Sequence, residues 1–364
     1  MNILIFIIVI VALIVVHEFG HFVAAKLSGM RVDEFGLGYP PRAMTIAKMG
    51  ETEYTLNWLP FGGFVKIYGE DGDGGDPRAF SKRPRMLQAI VLVAGITMNL
   101  LLAYVLITGA LVMGTPRALA PDEIVGAQNT QLMVASVLPG SPAARAGLLP
   151  GDSILSAEDG HYLFSGVDPA TFTKFVADGG GNTTVALTVK HADGNEETIF
   201  TRPETGIISA DPSRAVLGVE VATVGVVPLS FLAAVAEGAS LTWSATKLTA
   251  IGLWHFFYSI FTLSADLSQV AGPVGIADVV GSASAQGFGD LLSIMAIISI
   301  NLALINLIPI PALDGGRLLF VIIESVIRRP IKASVAQALN GIGFLFLILL
   351  MLVVTAHDIF KIVG

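Results

Sequence analysis

The chain has 364 residues, 53% of them hydrophobic and 14% charged, with a mean hydropathy of +0.73, which lies outside the range of ordinary soluble domains and makes a membrane protein the default. Its formal net charge of -8 argues against a nucleic-acid partner. The absence of cysteine excludes disulfides and thiolate metal ligands, and leaves His, Asp and Glu as the strong ligands available.

Spanning a bilayer core takes about 20 apolar helical residues, and four segments meet that need, roughly 2–24, 88–113, 290–310 and 340–360. The first begins as the apolar run Asn2 to Val16, which resembles a signal-peptide core but has no basic n-region and runs directly into "HEFGH", so it reads as a retained helix. On a helix His17 and His21 lie on one face, where both imidazoles can reach a single ion, and Glu18 between them suits a general base acting on a metal-activated water. Chance or packing can also produce this pattern. A charge in the middle of a spanning helix costs about 3 kcal/mol, however, so such groups usually pair, bind ions or act in catalysis.

The loop that follows carries Lys26, Arg31, Arg42, Lys48, Lys66, Arg78, Lys82, Arg83 and Arg85, a basic load expected on the cytoplasmic side. Within it Tyr54 to Tyr68 alternates around Gly62 and Gly63 and is apolar, which predicts a hairpin. After the second span, from about Pro121 to Val221, the composition turns polar and Gly-rich. Runs such as "TTVALTVKHADGNEETIF" predict strands joined by an Asp193-Gly194 turn, and hence an inserted soluble domain, expected outside the cytoplasm. The stretch from Leu229 to Leu263 is long enough to span but contains Glu237, Lys247 and His255 together with Trp243 and Trp254, and reads as an interfacial amphipathic segment.

Two histidines leave an ion short of the three protein ligands usual for catalytic zinc. The best source of a third is "NLIPIPALDGGR", where Pro309 and Pro311 interrupt the third span and Asp314 follows at the same boundary as the His pair; an ordinary turn at Asp314-Gly315 is the alternative. The loop beyond, with Arg317, Arg328, Arg329 and Lys332, is again expected inside. His161, His191, His255 and His357 have no ligand spacing.

HEFGH in a first span together with N-x-x-P-x-P-x-L-D-G at Asn306 to Gly315 resembles the site-2 proteases, the intramembrane zinc metalloproteases, and most of all the bacterial branch that cleaves anti-sigma factors. "LPFGGFVKIYGED" (Leu59 to Asp71), "RAFSKRP", "AGITMN" ending at Asn99, and "GPVGIA" (Gly272 to Ala277) extend the likeness over nearly the whole chain. The resemblance implies Zn2+ held by His17, His21 and Asp314, with Glu18 as catalytic base. It implies substrate contacts from Asn306, from Asn99, and from a membrane-associated β-hairpin at Gly62, Gly63 and Phe64. One departure is Gly95-Ile96, where the family often has Gly-Pro. "VASVLPGSPAARAGLLPGDSILSAEDG" (Val134 to Gly160) resembles one PDZ domain of the bacterial protease type, which implies a peptide tail as a possible partner or a filter against bulky substrates.

The expected fold is therefore a multi-pass α-helical membrane protein with one inserted extracytoplasmic mixed α/β PDZ domain. Its expected parts are 1–119 (two spans, HExxH and hairpin loop), 120–222 (PDZ), 223–289 (interfacial) and 290–364 (two spans and the Leu-Asp-Gly motif). The expected activity is zinc-dependent endoproteolysis of the spanning segments of single-pass proteins, in the inner membrane of a bacterium with the active site near the cytoplasmic side. A metal transporter would be expected to place acidic or His residues through several spans, and no such ladder is evident. A non-enzymatic PDZ scaffold would not need Glu18.

Overall fold

The computed structural model describes residues 2–70, 72, 75–179, 183–191, 194–207, 211, 213–227, 229–262 and 272–363. In chain order the elements are α1 (Asn2–Leu27), β1 (Val32–Met49), β2 (Thr52–Ile67), α2 (Arg85–Met113), β3 (Arg117–Ala118), β4 (Gln128–Val137), α3 (Pro142–Arg145), β5 (Ser153–Glu158), β6 (Leu163–Phe164), α4 (Pro169–Gly179), β7 (Val185–Lys190), β8 (Glu196–Thr201), β9 (Val219–Val226), α5 (Phe231–Phe261), α6 (Pro273–Gln286), α7 (Phe288–Leu307), α8 (Asp314–Ile327) and α9 (Ala333–Val363). They form two compact units, one of 1–111 with 230–364 and one of 112–229.

In the first unit, α1, α2, α7 and α9 contain stretches long and apolar enough to cross a membrane, four among the described residues. Val9 and Leu13 of α1, Ala103 and Leu106 of α2, Val280 of α6, and Ala296 and Ile300 of α7 form one buried cluster. Helices have little hydrophobic drive to associate in lipid, so close approach through small residues matters. A Cβ on Gly20 of α1 would stand 2.5 Å from the Ala94 carbonyl oxygen of α2. Asp358 near the end of α9 accepts from the backbone N–H groups of Gly272 and Gly275 at 3.2 and 2.9 Å, satisfying donors that the start of α6 leaves without helical partners. These glycines belong to the "GPVGIA" run.

The third predicted span is shorter than its apolar stretch. α7 ends at Leu307 and Ile308 is extended (φ -64, ψ 136), because Pro309 disfavours helical geometry in the residue before it and lacks an N–H of its own. The predicted interfacial segment is one continuous 31-residue helix, α5; its end at Leu263 lies outside the described residues. It packs on α2, where Tyr104 donates to the Val235 carbonyl at 3.2 Å and Gly238 admits Thr108.

The predicted Tyr54 to Tyr68 hairpin is part of a larger two-stranded arrangement. β1 pairs antiparallel with β2, and β2 folds back so that Leu37 stands opposite both Gly63 and Leu56, and Phe35 opposite both Val65 and Tyr54. Gly62, at φ +88, makes the bend. The outer part presents Met44, Ile46, Met49, Trp58 and Leu59 to the surroundings.

The second unit is a seven-stranded sheet of order β3-β9-β4-β5-β7-β8, with β6 on β5. Its core holds Leu132, Val134, Leu148, Ile154, Phe172 and Leu187. The Pro-Gly-Ser-Pro-Ala run caps α3, with the Ser141 hydroxyl accepting from the Ala144 N–H at 3.3 Å. β7 and β8 pair from Val185 opposite Thr201 to Lys190 opposite Glu196; of their predicted Asp193-Gly194 turn, Asp193 lies outside the described residues and Gly194 has φ +91. A cavity of about 420 Å³ lies beside α4, lined by Phe172, Val176, Arg214 and Leu217 among others.

Candidate metal centre

α1 carries His17 and His21 one turn apart, both buried, and the break after α7 delivers Asp314 to them as the first residue of α8. The Asp314 Oδ2 atom is 2.9 Å from His17 Nε2 and 3.1 Å from His21 Nε2, and the two Nε2 atoms are 3.1 Å apart. Among the described residues this is the group of His, Asp or Glu side chains close enough to share an ion. The turn that brings Asp314 here is tight. A Cβ on Gly315 would lie 2.3 Å from the Leu307 carbonyl oxygen, and one on Gly316 would lie 2.3 Å from that of Ile310.

The hydrogen bonds behind the triangle settle what it needs. His21 Nδ1 lies 2.8 Å from the Val91 carbonyl, which can only accept, so Nδ1 carries the hydrogen and the neutral ring turns its Nε2 lone pair toward Asp314. An imidazole lone pair facing a carboxylate requires a cation between them, a proton or a metal ion. His17 Nδ1 faces the Asn99 amide nitrogen at 3.3 Å, while the buried Asn99 Oδ1 has no partner. Exchanging the amide oxygen and nitrogen lets Oδ1 accept from His17 Nδ1–H and frees the second Nε2 lone pair for the same triangle. Zinc bonds of about 2.0–2.1 Å at tetrahedral angles place neighbouring donors about 3.4 Å apart, slightly wider than the triangle seen here. Two imidazoles and a carboxylate form a donor set that suits zinc.

Glu18, His21 and Asp314 line one side of a cavity of about 670 Å³ whose other walls include Tyr39, Phe64, Lys66, Glu70 and Arg317. A Cβ on Gly63 would lie 3.8 Å from Glu18 Cγ, so the end of β2 passes directly beside the carboxylate. Gly62 and Gly63 are buried there, and Phe64 stacks on Tyr39 with ring centroids 6.5 Å apart. Burial, and after it the Glu18 charge, push the Tyr39 phenol up, so it remains a hydroxyl at the cavity wall. Arg317 pairs with Glu70 across the same wall.

One of the substrate-contact expectations meets a different geometry. Asn99 has no exposed surface and turns its amide to His17, so it is placed to orient that ring rather than to touch a substrate. Asn306 sits partly buried in the last turn of α7, and no contact between it and the triangle is recorded. The sequence reading named Gly95 only within the Gly95-Ile96 departure and gave it no role. A Cβ there would stand 2.3 Å from His21 Nε2 and 2.8 Å from His17 Cε1, which makes the place of the familiar Gly-Pro pair a steric requirement of the His pair. Gly95→Ala is expected to lower zinc affinity by about tenfold or more, read by chelator competition, because the methyl displaces a ligand ring. Unchanged affinity would mean that α1 and α2 separate without cost to the centre.

The family model for Peptidase family M50 matches residues 5–350. The chain belongs to peptidase family M50. Among similar members, a protein of Clostridium perfringens named as a zinc metalloprotease is 37% identical over 349 residues, covering 96% of this chain and 95% of its own. One of Nostoc, likewise named, is 33% identical over 356 residues, with 96% and 93% covered. A chloroplastic membrane metalloprotease of Arabidopsis thaliana is 32% identical over 362 residues, with 96% and 78% covered. Of solved structures, a PDZ domain of an SdrC-like protein from Listeria monocytogenes matches 25% of this chain and 86% of its own at 23% identity, with a TM-score of 0.21. In this M50 chain the HExxH pair and the Leu-Asp-Gly aspartate, 293 residues apart in sequence from His21 to Asp314, meet at one point.

Proposed function

We propose that this chain is a membrane-embedded zinc endopeptidase that cuts single-pass membrane proteins, anti-sigma factors among them, within or beside their spanning segment. The observation that carries this reading is the triangle of His17, His21 and Asp314 beside Glu18, on a helix apolar enough to cross a bilayer, in a member of a peptidase family. Bound there, zinc supplies Lewis acidity, polarising the scissile carbonyl and lowering the pKa of a water to about 7. His17, His21 and Asp314 hold the ion. Asn99 and the Val91 carbonyl keep the two rings turned toward it. Glu18 takes the proton of the attacking water and passes it to the leaving amine.

A substrate helix hides its carbonyls in its own hydrogen bonds and must unwind before it can be cut. β1 pairs one side of Gly63 to Ile67, and that segment borders the cavity holding Glu18. An extended substrate adding to it would run past the carboxylate with its backbone held. Phe64 would contact its side chains, and Asn306 remains a candidate for its backbone. The exposed apolar residues of the outer β1–β2 region suit contact with lipid.

The test of the substrate class is a comparison of membrane fractions from cells carrying the wild type and Glu18→Gln. A single-span fragment should accumulate only in the variant; identical fragment patterns would count against the proposal. The basic loops support an orientation with the metal triangle toward the cytoplasm and the inserted domain outside. A reporter fused at Gly160 should therefore read as external and one at Arg83 as internal, and the opposite pair of readings would reverse the orientation.

A further inference from the structure

α8 is amphipathic in the reverse sense to a helix on a soluble protein. Its charged residues face inward: Arg317 pairs with Glu70, and Glu324 accepts from Arg85 at 2.8 Å and from the Ile331 N–H at 2.8 Å. Leu318 and Val321, on the same side, pack into the cluster of Ala25, Val32, Phe80 and Val91. Leu319, Ile322, Ile323, Val326 and Ile327 face outward and are exposed, Val326 to 78%. Spacings of three and four put the first four of these on one stripe.

A helix of 14 residues is about 21 Å long, short of the roughly 30 Å needed to span. Directly after it Arg328, Arg329 and Lys332 are all exposed, with no ion-pair partner recorded among the described residues. Water is a poor environment for an exposed stripe of four aliphatic side chains with Ile327 beside it, whereas a bilayer boundary suits both the stripe and the cations. We propose that α8 lies at the membrane interface with this stripe against acyl chains, and that Arg328, Arg329 and Lys332 hold anionic phospholipid headgroups of the leaflet nearest the metal centre.

The consequence follows from the chain. Asp314 is the first residue of α8, and the close turn at Gly315 and Gly316 ties it to the segment before it. Lipid that fixes α8 therefore also fixes the carboxylate of the metal triangle, so anionic lipid should strengthen zinc retention. This last step rests on the zinc reading above, whereas the lipid contact does not.

The chain has no cysteine, so Val326→Cys gives one labelling site on an otherwise unaltered protein. With bimane attached there, acyl-brominated phosphatidylglycerol in nanodiscs should quench strongly and aqueous iodide weakly; the reverse overturns the lipid contact. Zinc retention is then compared in nanodiscs of phosphatidylcholine alone and mixed with phosphatidylglycerol. The wild type should need roughly threefold more chelator to lose half its zinc in the mixed discs. A chain with Arg328→Gln, Arg329→Gln and Lys332→Gln should lose that difference, and one with Arg328→Lys and Arg329→Lys should keep it. An equal response of the wild type in both lipids, or an undiminished response of the Gln chain, overturns the coupling. A chain that holds no zinc in either disc overturns the metal reading while the quenching result stands.

Discussion

Replacing Glu18 by Gln is expected to leave one zinc per chain and to lower kcat/KM by about 100- to 10,000-fold, the usual contribution of a positioned general base. The two halves of this expectation have separate causes. Glu18 lines the cavity with His21 and Asp314 but is not one of the three residues whose donor atoms converge, so the ion does not depend on it. Gln matches it in shape but replaces one acceptor oxygen with an NH2 donor, and it cannot accept the proton that the attacking water must lose. The checks are metal content of the purified variant and cleavage of a single-span substrate in detergent or nanodiscs. A variant that cleaves normally would remove Glu18 from the chemistry, and one that loses zinc would make it structural.

Asp314→Ala should fail at an earlier step. Structural zinc sites are worth about 10–16 kcal/mol over four ligands, or roughly 2.5–4 kcal/mol each, so losing one ligand should weaken zinc by about 70- to 1,000-fold. Asp314 supplies the only negative charge in the triangle, and its replacement also leaves two imidazole nitrogens 3.1 Å apart with no anion to share a cation with. Activity should fall with metal content, and added zinc should restore little of it. Asn99→Ala, which removes support for His17 without removing a ligand, should cost about 10- to 100-fold in zinc affinity. A graded order, Asp314 above Asn99, separates a ligand from the group that orients one. Equal losses would mean that both variants simply unfold the helix packing.

The parts of this arrangement that were legible in the sequence are those set by local chemistry. His17 and His21 advertise a shared face through a spacing of four, and long apolar windows mark α1, α2, α7 and α9 whatever they pack against. Pro309 and Pro311 mark the break before Asp314, although their effect begins at Ile308, the residue before Pro309. Glu237 and Lys247 marked the segment as interfacial rather than spanning without breaking it, since both residue types are good helix formers and α5 runs through them.

What escaped the sequence depends on tertiary approach. The Val91 partner of His21 is a backbone carbonyl, which every residue possesses, so no side-chain signal could reveal it. Gly95 matters because of the imidazole across from it, not because of its own conformation. The fold-back of β2 onto both sides of Phe35 to Leu37 involves pairings that alternation within Tyr54 to Tyr68 cannot express. The outward stripe of α8 was present as a periodic pattern, but its meaning required knowing that Arg317 and Glu324 turn inward.

The most direct measurement of the central claim is X-ray absorption at the zinc edge on the purified wild type and on Asp314→Ala. The wild type should show zinc bound by two imidazole nitrogens and carboxylate oxygen at about 2.0–2.1 Å, and the variant should lose that signature. A wild-type protein with no stoichiometric zinc, or a zinc environment unchanged in Asp314→Ala, would contradict it.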